Sequence, residues 1–396
     1  MNALRPVSFP ITRGVWFVAL FMSLIGMSTN MLYSYLAVSL KFNLNVSMST
    51  VASIDGAVEF VSYFLRIFSG AISDYLHNRK LLLVVGCSVV ALVKPIFAIA
   101  NSVCAVIAAE ISERIGNGIL ASPRDALIAD LSYRNNLGAS FGFCKAIKTL
   151  GGVIGAAIAV AIMYISDNNY KLLFGVSTLP ALLALICLTK VQNKKEITNN
   201  QRKFDNPFQK KYLRSLDKNF WGLIALAFAC ELGHFAESLL TIRSADFLSP
   251  CSCGITAIIA TFGQVGFAYF IGMKSDQYNK LYIIRINLFL LLVSYATMWS
   301  ASSSIVFLFG ILIFYGQYAV IQALFLATIT KNVSSQLRAT ATGIFYSVIG
   351  ISYMASTEIC GMFCDNFGTN SAFLYTSSIV FLALVSACSR KGTYFN

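Results

Sequence analysis

Twelve runs of apolar residues, most of them about twenty long, recur from one end of this 396-residue chain to the other. As an α-helix, a run of that length matches the hydrocarbon thickness of a bilayer, whereas a membrane strand needs only about ten alternating residues. Backbone N–H and C=O groups in hydrocarbon must satisfy one another within the segment, so such runs are helices. With 57% hydrophobic and 12% charged residues, the chain has too little polar surface to clothe a water-soluble globule. The expected fold class is an all-α integral membrane protein with twelve transmembrane helices.

The runs fall near 14–38, 50–73, 80–100, 102–128, 139–165 and 170–189, then 220–243, 255–273, 280–300, 304–328, 339–362 and 371–388. The first lacks a small-residue cleavage site, so it reads as a span and not as a signal peptide. Segments on the same side as the N-terminus hold Arg5, Arg13, Arg79, Lys80, Arg134, Lys274, Lys280, Lys331, Arg338, Arg390 and Lys391. The opposite loops hold little beyond Lys41 and Lys171. Basic side chains resist translocation, so both termini are expected in the cytoplasm, in a bacterial inner membrane. This distribution also accounts for the net charge of +13 without invoking nucleic acid.

Between the sixth and seventh runs lies the one long polar stretch, where nine basic residues from Lys190 to Lys218 outnumber Glu196, Asp205 and Asp217. It reads as a cytoplasmic linker, 190–219, between a six-helix bundle at 1–189 and another at 220–396. An internal repeat supports that division. Gly70-Ala-Ile-Ser-Asp74 follows the second run and Gly272-Met-Lys-Ser-Asp276 follows the eighth, while Gly142 and Gly343 open the fifth and eleventh. Both pairs keep nearly the same offset, as a duplicated and pseudo-symmetric architecture would.

The loop Gly70-Ala-Ile-Ser-Asp74-Tyr-Leu-His-Asn-Arg79-Lys80 resembles the signature of the major facilitator superfamily, a Gly and an Asp four apart followed by a basic pair. The resemblance extends over essentially the whole chain. It implies two facing bundles and a conformational latch at Gly70, Asp74, Arg79 and Lys80, with Asp276 in the second copy. In span four, Arg114-Ile-Gly-Asn117-Gly118 is similar to a pattern in which a mid-membrane arginine serves proton coupling or substrate contact. Ser122-Pro123-Arg124-Asp125 and His234-Phe-Ala-Glu237 resemble stretches of a poorly characterised bacterial branch. Gly151-Gly152-Val-Ile-Gly155-Ala156 is similar to the glycine motif of drug–proton antiporters, but Ala156 replaces its proline, and close helix packing explains the glycines equally.

An ionisable residue inside a span costs about 2.5–3.5 kcal/mol on insertion scales, so each needs a partner or a cavity. Spans two, four and seven carry most of them. Glu59, Arg66, Glu113, Arg114, Asn117, Glu231, His234 and Glu237 are the expected substrate or proton pathway. Glu231 and His234 stand one helical turn apart, and a histidine beside carboxylates can change charge near neutral pH. Arg124, Asp125 and Arg338, at the inner ends, are expected gate residues, with Arg124 paired to Asp130 or Asp74 and Glu110 to Arg114. Asn30, Tyr33 and Ser34 form a polar patch that could line a cavity, and Cys251, Cys253, Cys360 and Cys364 cluster on the outer side, where a disulfide or metal site is conceivable.

No zinc-peptidase motif, phosphate-binding P-loop or nucleophile elbow occurs, so neither an enzyme nor ATP-driven transport is indicated, and no metal or cofactor is called for. The expected function is secondary active transport of a polar or charged small solute by alternating access, coupled to protons, by a monomer in contact with lipid. The mixed signs suit a zwitterion or an organic anion. Export of amphiphilic or siderophore-like compounds by proton antiport is the nearest alternative, and a non-transporting receptor or scaffold is the alternative of another class.

Overall fold

The computed structural model describes residues 11–76, 79–133, 137–191, 218–274, 279–333 and 338–389, of which 66–76, 137–138, 218–219, 268–274, 319, 322–323, 326–327, 330–332 and 338–340 are described as backbone. Nearly all of the expected linker therefore lies outside the described residues, as does Asp276.

Among the described residues the chain forms α1 (Arg13–Phe42), α2 (Met48–Leu76), α3 (Arg79–Ile99), α4 (Val103–Leu131), α5 (Leu137–Ile165), α6 (Tyr170–Val176) and α7 (Thr178–Lys190). These are followed by α8 (Lys218–Leu232), α9 (Glu237–Ser244), α10 (Ile255–Lys274), α11 (Lys280–Trp299), α12 (Ser304–Asn332), α13 (Arg338–Phe367) and α14 (Thr369–Ser389). Helices α6 and α7 together make the sixth pass, and α8 and α9 make the seventh, so the chain crosses twelve times. Nine of the segments are long and apolar enough to qualify as membrane spans by hydropathy alone. The charged helices α2 and α4 are not among them, because the ionisable residues they bring to the cavity lower their hydropathy. Large apolar side chains such as Leu92, Ile99, Ile186, Phe289 and Leu382 stand exposed on the perimeter, as lipid contact requires.

Small residues set the helix contacts. A Cβ on Gly151 would lie 2.2 Å from the Ser23 carbonyl oxygen, and one on Gly155 would lie 2.3 Å from that of Met27. The glycines of α5 thus let it close directly on α1, which is the packing explanation for the stretch similar to an antiporter motif. The same device joins α10 to α12, where a Cβ on Gly263 would meet the Leu312 carbonyl at 2.4 Å.

Across the middle, α2 lies along α13. A Cβ on Gly361 would stand 2.5 Å from the Ser49 Cα, and one on Gly56 would meet Thr357 Oγ1 at 2.2 Å. This contact fills the half of the molecule remote from Arg13 and Ser389. We call that the far end, and its opposite the terminal end.

At the far end Asp365 of α13 accepts from the backbone N–H groups of Met48 and Ser49, each at 2.9 Å, and from the Ser49 hydroxyl at 2.5 Å. A carboxylate from one half therefore caps the first turn of a helix in the other, where the helix dipole favours negative charge. One turn deeper, Ser53 donates to Glu358, and Tyr35 donates to the carbonyl of Cys251 beneath the segment before α10. The far end is closed.

Candidate functional site

The seventh pass breaks where the cavity begins. Glycine is a poor helix former, and after Leu232 the backbone of Gly233–Ala236 leaves the helix before α9 resumes at Glu237. A break in mid-membrane leaves backbone groups that need partners. Tyr295 supplies two of them, donating to the Gly233 carbonyl at 2.7 Å and accepting from the Phe235 N–H at 3.0 Å. The Ser356 hydroxyl, which contacts the carbonyls of Leu232 at 2.6 Å and His234 at 2.7 Å, covers the rest.

This break corrects the sequence expectation for Glu231 and His234. The two do not continue on one helical face. The His234 ring is buried among Tyr318, Phe314 and Tyr353, with ring centroids 4.3, 4.9 and 5.3 Å away, and its Nε2 has no hydrogen-bond partner among the described residues. Glu231 accepts from the Tyr318 hydroxyl at 3.1 Å. Neither residue lines the cavities described below.

Two cavities meet at the centre. A deep chamber of about 300 Å3 is lined by Asp55, Glu59, Glu110, Arg114, Glu237 and several tyrosines. A larger cavity of about 760 Å3 runs from Arg114 and Glu237 toward the terminal end, past Asn117, to Arg124, Asp125, Lys145 and Lys148. Asp125, Lys145 and Lys148 are exposed at its mouth. Tyr33, Arg114 and Glu237 line both and so stand between them. Asn30 and Ser34, expected as cavity lining, face the larger one.

Arg114 is the pivot of the chamber. Its guanidinium pairs with Glu59 at 2.5 Å and lies 4.6 Å from the centroid of the Tyr33 ring. The expected Glu110–Arg114 pair within α4 therefore yields to a pair between α4 and α2. Glu110 is 5% exposed, and its Oε2 has no hydrogen-bond partner among the described residues. Asp55 bridges the halves, accepting from the Ser238 N–H of α9 at 3.2 Å and from the Tyr353 hydroxyl at 3.3 Å. Glu237, at the start of α9, accepts from Tyr315 at 3.3 Å.

Glu113 belongs elsewhere. It pairs with Lys94 of α3 at 2.7 Å, both side chains wholly buried, behind Tyr33 and away from the cavity lining. The Lys94 ammonium lies 5.8 Å from the Tyr33 centroid, so two cations, Lys94 and Arg114, stand near this ring.

The latch residues divide similarly. Arg79 pairs with Asp130 and donates to the Ala126 carbonyl at 2.9 Å, which ties α3 to the end of α4. Arg124 takes its neighbour Asp125 at 2.8 Å, while Asp130, the other described candidate, is taken by Arg79. Lys80 donates to the carbonyls of Thr189 at 3.1 Å and Val191 at 2.7 Å and so caps α7, a favourable place for a cation. The side chains of Arg66, Gly70, Asp74 and Arg338 lie outside the described residues, although each position falls in a helix. All four outer cysteines are free thiols.

Reasoning from sequence missed Asp55 and Glu110 as site residues, and also Tyr315, Tyr318 and Tyr353. Asp55 with Glu59, and Glu110 with Arg114, each stand four apart on one helix face, a signal that could have found them. The tyrosines, three among 18, gave none.

Residues 17–357 match the family described as Major Facilitator Superfamily. An uncharacterised MFS-type transporter of Methanocaldococcus jannaschii is 24% identical over 347 residues, covering 84% of each chain. Among solved structures, a mutant of the nucleoside transporter NupG superposes with a TM-score of 0.79 at 12% identity, over 95% of this chain and 99% of that one. A D-xylose-proton symporter superposes with a TM-score of 0.73 at 14% identity, over 96% and 98%. At these identities the likeness to solved structures shows the fold.

Proposed function

The chain belongs to the Major Facilitator Superfamily, whose fold is that of transporters and not of enzymes, and from that premise we propose that it is a secondary active transporter of a polar or charged small solute, coupled to protons. One observation carries this reading: a central cavity walled by both halves, rich in ionisable groups, open toward the terminal end and closed at the far end. Alternating access needs such a geometry, with the site near the midplane and one gate shut.

The basic residues at the terminal end support its placement in the cytoplasm by the positive-inside rule, which makes this the inward-facing state of an inner-membrane protein. A solute would enter past Arg124 and Lys145 and reach Tyr33, Arg114 and Glu237. For the far end to open, Asp365 must leave the start of α2 and Glu358 must leave Ser53. The division into bundles at 1–189 and 220–396 lets one half rock against the other, as a monomer in lipid. Proton coupling is supported by carboxyl groups in the chamber that lack a basic partner among the described residues. An ionised carboxylate there is costly, and a proton removes the cost.

The drug-export alternative rested on the α5 glycines, which pack against α1. Nothing described favours a receptor that moves no solute.

The test is uptake into liposomes. The purified chain should accumulate at least one member of a panel of labelled polar solutes under an imposed proton gradient, and Arg114→Ala and Glu237→Gln should each lower the rate at least tenfold. Flux indifferent to both the gradient and these substitutions would overturn the reading.

A further inference from the structure

The deep chamber carries an imbalance. Among the described residues four carboxyl groups line it, from Asp55, Glu59, Glu110 and Glu237, against one cation, Arg114, and only Glu59 has a basic partner. The expectation of a zwitterion or an organic anion rested on Arg66 and Arg114 in the first half and on Glu231 and Glu237 in the second; Arg114 and Glu237 line the chamber, and Glu231 lies off it. What remains is a surplus of acceptors. Ser238 N–H, Tyr353 and Tyr315 satisfy part of it, but Glu110, nineteen-twentieths buried and lining the chamber, keeps an oxygen with no hydrogen-bond partner among the described residues. A buried acceptor without a donor is expensive, and a ligand that brings donors and positive charge removes the expense.

Tyr33, Tyr63, Tyr318 and Tyr353 line the same space, and aromatic rings attract cations. An aliphatic or aromatic ammonium offers up to three N–H donors on an apolar body, matching carboxyls set among tyrosines. Its size is bounded as well. A volume of about 300 Å3 equals that of about ten waters of liquid, enough for a small organic amine. A bare metal ion fits worse, because among the described residues no three carboxyl, imidazole or thiol groups converge to hold one.

We propose that the deep chamber is a binding site for a small organic ammonium ion, with the carboxyl groups of Glu110 and Asp55 as its ligands and the tyrosines as its apolar wall. This names the substrate class for the site on which the transport reading rests.

Three probes of similar shape and different charge test it: benzylamine, benzyl alcohol and benzoate, titrated calorimetrically at neutral pH into the full chain in lipid nanodiscs. Benzylamine should bind, with the alcohol and benzoate at least tenfold weaker, and Glu110→Gln should weaken benzylamine at least tenfold. Asp55→Asn serves as the second variant should Glu110→Gln fail to assemble, with the same loss expected. Absence of benzylamine binding overturns the proposal, as do benzoate binding as tight as benzylamine and affinity unchanged in both variants. Counterflow of labelled benzylamine into liposomes separates this from the transport reading. Binding without counterflow sinks transport and leaves the site standing, whereas gradient-driven flux of other solutes without benzylamine binding sinks the site and leaves transport.

Discussion

The two walls of the cavity are built on different principles. On the side of α2 and α4 the lining is charged, with Arg114 held by Glu59, and a second pair, Lys94 and Glu113, wholly buried just behind it. On the side of α9, α12 and α13 the described lining is tyrosine and hydroxyl, with Tyr315, Tyr318, Tyr346 and Tyr353 beside Ser238 and Thr241, and its one carboxyl, Glu237, stands at the start of a helix that follows a break. The pairs Arg114–Glu59 and Lys94–Glu113 each offset the desolvation of their partners, while Asp55 and Glu110 of the same wall have no basic partner among the described residues. An aromatic wall adjoining a broken helix can rearrange without stranding a charge. The expectation from this contrast is that pairing makes the first half the stiffer frame and that the second yields more readily.

The largest effect should come from the pair that never meets the cavity. Lys94→Met leaves Glu113 buried alone and should cost about 3–5 kcal/mol of stability, seen as a large fall in the melting temperature of the detergent-solubilised protein. Combining it with Glu113→Leu should recover most of that loss, since an apolar pair of similar volume needs no compensation. If the double substitution stays as unstable as the single, the frame is not what Lys94 and Glu113 supply.

Arg114→Ala should follow, with at least a tenfold loss of gradient-driven flux and a smaller stability loss, because Glu59 borders a cavity and can be hydrated. Arg114→Lys should not restore the flux, because an ammonium cannot reproduce a planar fork against both Glu59 and the Tyr33 ring. A lysine variant as fast as the parent would reduce Arg114 to a simple positive charge.

On the other wall, Tyr318→Phe removes one donor to Glu231 and should cost about 1.5 kcal/mol, the upper end for a typical hydrogen bond. A loss as great as that of Lys94→Met would erase the contrast between the walls. The smallest effect should be that of Asp365→Asn, about 1 kcal/mol for a weakened helix cap. Its signature is faster alkylation of Cys251, whose carbonyl and thiol are engaged by Tyr35 and Asn168 at the closed far end. Unchanged labelling would mean that the contact to α2 does not hold the gate.

Of the site, the sequence exposed the membership better than the arrangement. Glu59, Arg114, Asn117 and Glu237 could be singled out because ionisable and amide groups in apolar runs are conspicuous, and all four line the cavities. Glu113 was equally conspicuous yet faces Lys94 across α3, because insertion cost marks a residue without saying which neighbour relieves it. His234 was misplaced for another reason. A glycine after Leu232 does not by itself announce a break, and only the hydroxyls of Tyr295 and Ser356, from passes nine and eleven, make one sustainable.

By itself the sequence determined that twelve helical passes cross the membrane, since a run of about twenty apolar residues has no other stable form in hydrocarbon. It also marked passes two, four and seven as the unusual ones. Tertiary structure alone decided the partners: Arg114 with Glu59 and not Glu110, Glu113 with Lys94, and Asp365 with the start of α2. The reason is distance. Spacing along one helix reports neighbours one turn away, whereas these pairs join helices brought together by packing elsewhere in the fold, including glycine contacts many residues from the charges they position.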